Sequence, residues 1–526
     1  MSDRDQNQTI GSGQPTQAEW VVPASAGMAP PPTARRRVRV SRRGLLVGAG
    51  AVGLGAAAIT GGILYVDHKL PFSAKPALAA NNQVAHLFRR AGFSARTSDV
   101  QEYGALGMDG AIERLLNYNT VADDLDTRLN ALNLDLALVP DMQRWWLLRM
   151  VYSKRPLQEK MTLFWHGLLT SSYAKVGGKD NYAYSINQNN FLRNHALDTF
   201  DNILLGITQD PAMMYWLDLR LSKKTAPNEN YARELMELFT LGVGGGYTQA
   251  DVHDAARALT GIVLMKGGAV SFVPAQHDNT SKTLLGQTGN FDYKDVIRIL
   301  AAHPATGPYL CKRLFAFFVH ENPSDADVKP MVDAYYAKGH SILEVMRAMF
   351  KSPAFFAPAA YRSRIKSPAE FVIGAVRQLD LEVQGQGLSN VMSTMGQTLL
   401  APPNVAGWPG DVGSANWLNT STWLARLNYI DAIFNVTKGT NNNAGNIQAT
   451  VTKLNLKTPN DLLNHYTNLF IDGQISTART ATLSQFLTTT SDGTGTVTFS
   501  GGQSVSTTGA RGMLYLLLTS PDYGLN

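Results

Sequence analysis

The sequence predicts a mainly α protein, a large multi-helix orthogonal bundle with small β-hairpin insertions. Three observations carry this. From residue 81 onward apolar residues recur at three- and four-residue spacing, beginning with Val84, Leu87, Phe88 and Ala91. Strand signals are few, and residues 269–273 read as one strand of a small hairpin. The chain has 526 residues, of which 44% are hydrophobic and only 17% charged, enough apolar area for a large core and too little charge for disorder as the main state.

Residues 1–40 read as a disordered tail, because 1–34 are polar, rich in Pro, Gly, Ser and Gln, and without periodicity. Residues 41–79 read as an export signal or membrane anchor. Ser41-Arg42-Arg43-Gly44-Leu45-Leu46 resembles a twin-arginine signal, a Gly/Ala/Val/Leu stretch follows over 44–66, and Ala77-Leu78-Ala79 offers a small-x-small cleavage site. The apolar stretch is long enough to span a bilayer, so the segment is either a cleaved signal peptide or an anchor over 44–66. Export puts the body in the periplasm, on the cell surface or outside, and makes the twin-arginine machinery a partner.

A rival reading uses the same residues. Gly48, Gly50 and Gly53, with Asp67 downstream, match a dinucleotide fingerprint and would bind a flavin or nicotinamide. It needs a preceding strand and a βαβ continuation. Only four residues separate Gly48 from Arg43, and Leu70-Pro71-Phe72 follows Asp67. Cofactor and metal are otherwise unspecified by the sequence.

The net charge of +6 invites a nucleic-acid partner, but residues 1–79 hold nine basic and four acidic side chains. Five of the six net charges therefore sit on the leader. The nearly neutral body disfavours a phosphate-tracking surface.

The main helical domain is expected over 80–436. Helices are predicted at 188–206, 229–241, 249–260, 294–302, 307–319, 326–337, 341–350, 368–380, 390–399 and 420–436. Residues 437–526, part of this domain or appended to it, hold helices at 459–470 and 508–519. Polar stretches at 437–457 and 488–508 read as loops or short hairpins. The single cysteine, Cys311, excludes an intrachain disulfide and lies in an apolar run, so it reads as a small buried hydrophobe.

The densest polar region is 228–261. Asn228 is placed to cap a helix, Gly242 to end it, and Thr248 with Asp251 to form a capping box for the next. Glu229, Arg233 and Glu237 share one face, Glu234 lies three residues from Glu237, and Asp254 lies three from Arg257. These charges either pair within and between two antiparallel helices, or Glu234, Glu237 and Asp254 converge on a metal or act as acid and base. Arg233 would then orient an anion.

Four histidines add chemistry. His166 follows Phe164-Trp165 near a helix end, where it either caps carbonyls or reacts. His277 stands beside Asp278 in a loop and is a ligand or base candidate. His253 lies in the second charged helix, and His195 reads as a polar-face residue. Trp408 and Trp417, among Pro, Gly and Asn, stack on sugar rings, cover a pocket or plug the bundle. No His-Glu-x-x-His, Gly-x-Ser-x-Gly, Walker loop or haem motif occurs in the body.

The segments His86 to Phe93, Glu159 to Gly167, Asn228 to Gly242 and Gly246-Tyr247-Thr248 resemble, in order, the bacterial family catalogued as domain of unknown function 1800. Ala258 to Gly261, His303 to Thr306, Lys366-Ser367-Pro368 and Pro402 to Pro409 continue the resemblance. It implies twin-arginine export and an exported partner of the domain of unknown function 1501 family, whose genes often adjoin. It carries no established catalytic residues, and Phe239 stands where members often have His. The resulting expectation is an exported, uncharacterised envelope or extracellular enzyme, a metal-assisted hydrolase of a carbohydrate or other polymer. Its candidate reactive groups are His166, Arg233, Glu234, Glu237, Asp254 and His277. The alternative is a non-enzymatic cell-surface scaffold acting with an exported partner.

Overall fold

Helix-start chemistry written in the sequence recurs through the fold of this computed structural model, which describes residues 80–176, 178–435, 447–490 and 495–526. The tail, the twin-arginine segment, the 44–66 stretch and the 48–53 fingerprint lie outside the described residues. Thr248 with Asp251, Asp292 with Asp295, Ser324 with Asp327, Ser367 with Glu370 and Thr458 with Asp461 all form reciprocal capping boxes. Each satisfies backbone N–H groups that the first helical turn leaves without partners.

The protein is mainly α. Strands are confined to antiparallel two-stranded hairpins among the described residues, Ile262–Leu264 with Val270–Phe272, Lys282–Leu284 with Gln287–Gly289, and Thr496–Thr498 with Ser504–Ser506. The hairpin anticipated at 269–273 is the first of these, with Ile262 opposite Phe272. No helix among the described residues is long and apolar enough to cross a membrane.

Two expectations about elements need correction. The helix expected over 188–206 is two, Tyr182–Asn194 and Phe200–Thr208. Between them the Asp198 carboxylate accepts from Thr199 N at 2.6 Å and Asn202 Nδ2 at 3.0 Å. Such local side-chain bonds compete with a continuous helix. The stretch 437–457 contains the helix Ile447–Lys453. A helix with no expectation attached, Thr477–Thr489, runs into the start of 488–508, and its Thr480, Thr482 and Thr488 hydroxyls donate to carbonyls four residues back.

Two helices form the centre of the described body. Pro156–Leu168 and Pro368–Gln378 are buried along their whole length. The first straddles two apolar cores. Leu157, Met161, Phe164 and Trp165 enter one with Phe200, Leu235 and Phe318, and Leu163 enters the other with Trp146, Phe371 and Phe470. The second core also takes Leu462, Leu487, Val505 and Leu517, so segments beyond residue 447 pack on the same apolar set as Phe371 and Ile430. Cys311 is fully buried, and burial drives its thiol pKa upward.

Charged residues on the central helices are paired. Lys160 and Glu370 form an ion pair between them. Glu159 takes a two-pronged bond from Arg193, at 2.6 Å to Nε and 3.0 Å to Nη2. A buried charge left without its partner would be strongly unfavourable. Burial opposes ionisation of Glu370, but Lys160 and Arg364 outweigh it and hold the carboxyl down to about 2.

Candidate functional site at the π-turn

The helix that begins at Glu229 does not stay α. Asn228 caps it, accepting from Asn230 N at 2.9 Å. After Glu234 it widens into a π-helical stretch, Leu235–Thr240. There Thr240 Oγ1 donates to Leu235 O at 2.7 Å, and Leu241 N donates to Met236 O at 2.8 Å, both five residues back. Single π-turns inside α-helices concentrate at functional sites. Gly242 ends the stretch at φ +82, and a Cβ there would lie 2.7 Å from the Tyr309 ring. Both the left-handed backbone and the close ring require glycine.

A cleft of about 600 Å³ opens beside this turn, lined among others by Glu237, Leu238, Tyr309, Lys312, Arg313 and Val405. Tyr309 donates to Leu238 O at 2.6 Å and accepts from Arg313 Nη1 at 3.2 Å. One rigid ring thus holds both the π-turn and the guanidinium. Lys312 is paired with Asp325 at 2.6 Å. Tyr247 donates to Glu237 Oε2 at 3.0 Å. Burial and the adjacent Glu237 push the Tyr247 hydroxyl up to about 12, so it remains the donor. Glu234 sits beside Glu237, and burial followed by that neighbouring charge raises its carboxyl above the usual range.

The remaining candidates lie in other networks. Arg233 is not free to orient a ligand. It pairs with Glu229 at 3.2 Å and donates to Gln249 Oε1 at 3.0 Å, and His253 Nδ1 lies 3.2 Å from Glu229 Oε1. Asp254 accepts from Arg257 at 2.8 Å and from Thr283 N at 2.6 Å, and the same Arg257 reaches Asp278 at 2.8 Å. Burial opposes ionisation of Asp278, but Arg257 and Thr280 hold its carboxyl well below the usual carboxylate range. This network stitches the Gln249–Ala258 helix to the loop and hairpin after it. His277 is buried and donates from Nδ1 to Thr260 O at 2.9 Å. A carbonyl only accepts, so the bond fixes the tautomer.

His166 neither caps carbonyls nor meets the carboxylates. Its ring is buried between Trp146, at 5.2 Å, and Trp408, at 5.6 Å, and neither nitrogen has a hydrogen-bond partner among the described residues. Burial pushes its pKa down to about 3. Trp408 and Trp417 are 1% and 2% exposed, so they plug the bundle and offer no face to a sugar ring. His195 is more than a surface polar group, since its Nδ1 lies 2.7 Å from Asp198 Oδ2.

The six candidates therefore do not form one constellation. Glu234 and Glu237 are neighbours on the π-turn, while no direct hydrogen bond or ion pair joins them to Asp254, His277 or His166 among the described residues. Nor is any group of three or more His, Cys, Asp or Glu side chains there placed to hold a metal.

Two residues escaped sequence reasoning. Arg313 was hidden in an apolar helix. Asp411 has an Oδ2 that is buried without a partner among the described residues, 2.7 Å from where a Cβ on Gly167 would stand. Burial lifts its carboxyl to about 7 against the opposing pull of Arg364 and Arg313. A signal did exist: Asp411 is the only charged residue between Glu382 and Arg426.

The family described as "Protein of unknown function (DUF1800)" matches residues 86–525. No curated protein and no solved structure gave a match. The match runs from the first described helix to the end of the second core, and with it the chain belongs to the DUF1800 family.

Proposed function

We propose that the chain is an exported hydrolase of the envelope or extracellular space that works in the cleft at the π-turn, with Glu237 as its base. The observation that carries this is that Glu237 and Arg313 both line one largely apolar cleft, with neither locked in an ion pair among the described residues. Concave, mostly apolar sites with a few convergent polar groups are where ligands bind. Glu237 takes a proton from water as the water oxygen bonds to the substrate, then returns it to the leaving group. Tyr247 fixes the carboxylate, and Arg313 holds an anionic part of the substrate. Export rests on the Arg42-Arg43 signal and on the leader carrying five of the six net positive charges.

The test is hydrolysis by the purified full-length protein, using chromogenic esters, phosphates and glycosides. Glu237→Gln is expected to lower kcat by about 100-fold or more while the melting temperature holds. Equal turnover by a folded Glu237→Gln protein overturns the proposal. For the leader, Arg42→Lys with Arg43→Lys is expected to leave the protein in the cytoplasmic fraction.

A second reading has its own support. Glu229 with Arg233 and Asp254 with Arg257 are paired as a scaffold would pair them. In that case a partner of the domain of unknown function 1501 family co-purifies from the envelope, and Glu237→Gln leaves the complex intact.

A further inference from the structure

We infer that the π-turn cleft takes an amphiphilic anion, a ligand with an apolar body and one carboxylate or phosphate-type head. This deepens the proposed function and rests on it for the cleft being the working site.

Three features converge. The walls are apolar, with Leu168, Leu238, Leu241 and Val405 among them. Val243 and Val412 line the same cleft and are 80% and 62% exposed. They carry the apolar lining of the cleft out to solvent, within reach of an apolar ligand body. The third feature is charge. Lys312 is compensated by Asp325, but Arg313 has no carboxylate within ion-pair distance among the described residues. Asp411 feels its field without bonding to it.

The Arg313 guanidinium gives one hydrogen bond to Tyr309, whose own proton goes to Leu238 O. A guanidinium has five N–H donors in a fixed fork, so donors remain. A planar fork on an apolar wall is matched by two oxygens of a carboxylate or phosphate, and weak competing hydration strengthens the pair. A neutral saccharide fits less well. Both candidate stacking tryptophans are buried, and apart from Tyr309, whose hydroxyl is already engaged, the side-chain polar groups on the cleft are charged.

Calorimetric titration of the full-length protein tests this with decanoate, decyl phosphate and decyl glucoside, all below their micelle concentrations. Decanoate and decyl phosphate are expected to bind about tenfold or more tighter than the glucoside, and their ratio identifies the head group. Arg313→Gln is expected to remove that preference, and Arg313→Lys to restore part of it. Equal binding of the glucoside by the unaltered protein overturns the inference, as does no binding of either anion, or an unchanged preference in folded Arg313→Gln. The first two comparisons need no variant. Binding requires no turnover, so the two ideas fail separately. If decanoate binds through Arg313 while Glu237→Gln alters no hydrolysis, the enzyme reading falls and the ligand class stands. If Glu237→Gln abolishes hydrolysis and no anion binds, the ligand class falls alone.

Discussion

Arg89 grips Asp472 across 383 residues of chain, with Nη1 at 2.8 Å from Oδ1 and Nη2 at 2.7 Å from Oδ2. Both side chains are buried, and Tyr361 donates to the same carboxylate. The pair ties the first described helix to the end of the Pro459–Ile471 helix. Asp472→Leu strands the guanidinium in the interior and is expected to cost about 3–5 kcal/mol in urea unfolding. Arg89→Met added to it is expected to recover part of the loss, because two apolar side chains pack where one charge cannot.

His166 makes acid stability legible. Its folded pKa is about 3 against 6.5 for an ordinary imidazole. The unfolded chain therefore takes up the proton first as pH falls. Stability is fully present above pH 6.5 and is lost progressively down to about 3. Between pH 7.5 and 5 this one group accounts for about 2 kcal/mol. His166→Phe keeps an aromatic between Trp146 and Trp408 and is expected to flatten that part of the curve in pH-dependent denaturation. An unchanged slope contradicts the burial argument.

Gly407 is the hinge of the loop that supplies Val405 and Ala406 to the cleft. Its φ is +89, and a Cβ would sit 2.3 Å from Gly167 O. Gly407→Ala is expected to lose at least about 2 kcal/mol of stability. Surviving folded protein is expected to bind decanoate more weakly, since the wall carrying Val405 must move. Calorimetry after a melting curve reads both effects.

The Asp254, Arg257 and His277 bonds hold structure together, not substrate. Asp254→Asn and His277→Gln are each expected to cost about 1–2 kcal/mol and to leave turnover per folded molecule unchanged. Glu237→Gln is expected to do the reverse. Steady-state kinetics beside melting curves separate the two classes.

Much of this was legible because it is local. Asn228, Gly242, Thr248 and Asp251 each do what their residue types do near helix ends, and Glu229–Arg233 and Asp254–Arg257 pair at three- and four-residue spacing. Glu237, an acid or base candidate by residue type and spacing, lines the cleft, but nothing in the sequence marks its cleft partner. Arg313 sits on a helix about 75 positions later, and nothing in periodicity says which turn of which helix it will face. His277 and Asp254 looked reactive because residue type reveals capacity, whereas Thr260 O and Thr283 N, which occupy them, belong to the backbone and carry no sequence signature. The break at 195–199 was hidden for a similar reason, since Asp198 competes for the backbone only once Thr199 and Asn202 are in place.

The π-turn sets the angular phase of everything beyond it. Relative to an α-helix it holds one surplus residue, so it acts as a phase shift within the helix. Each α-helical residue advances the azimuth by about 100°. Deleting one residue between Leu235 and Thr240 would heal the helix and swing its remaining side chains round the axis by that amount, on one side of the cut. Glu237 would leave the cleft or Tyr309 would lose its carbonyl. A chain shortened by that one residue would keep its apolar core and lose the geometry of the cleft.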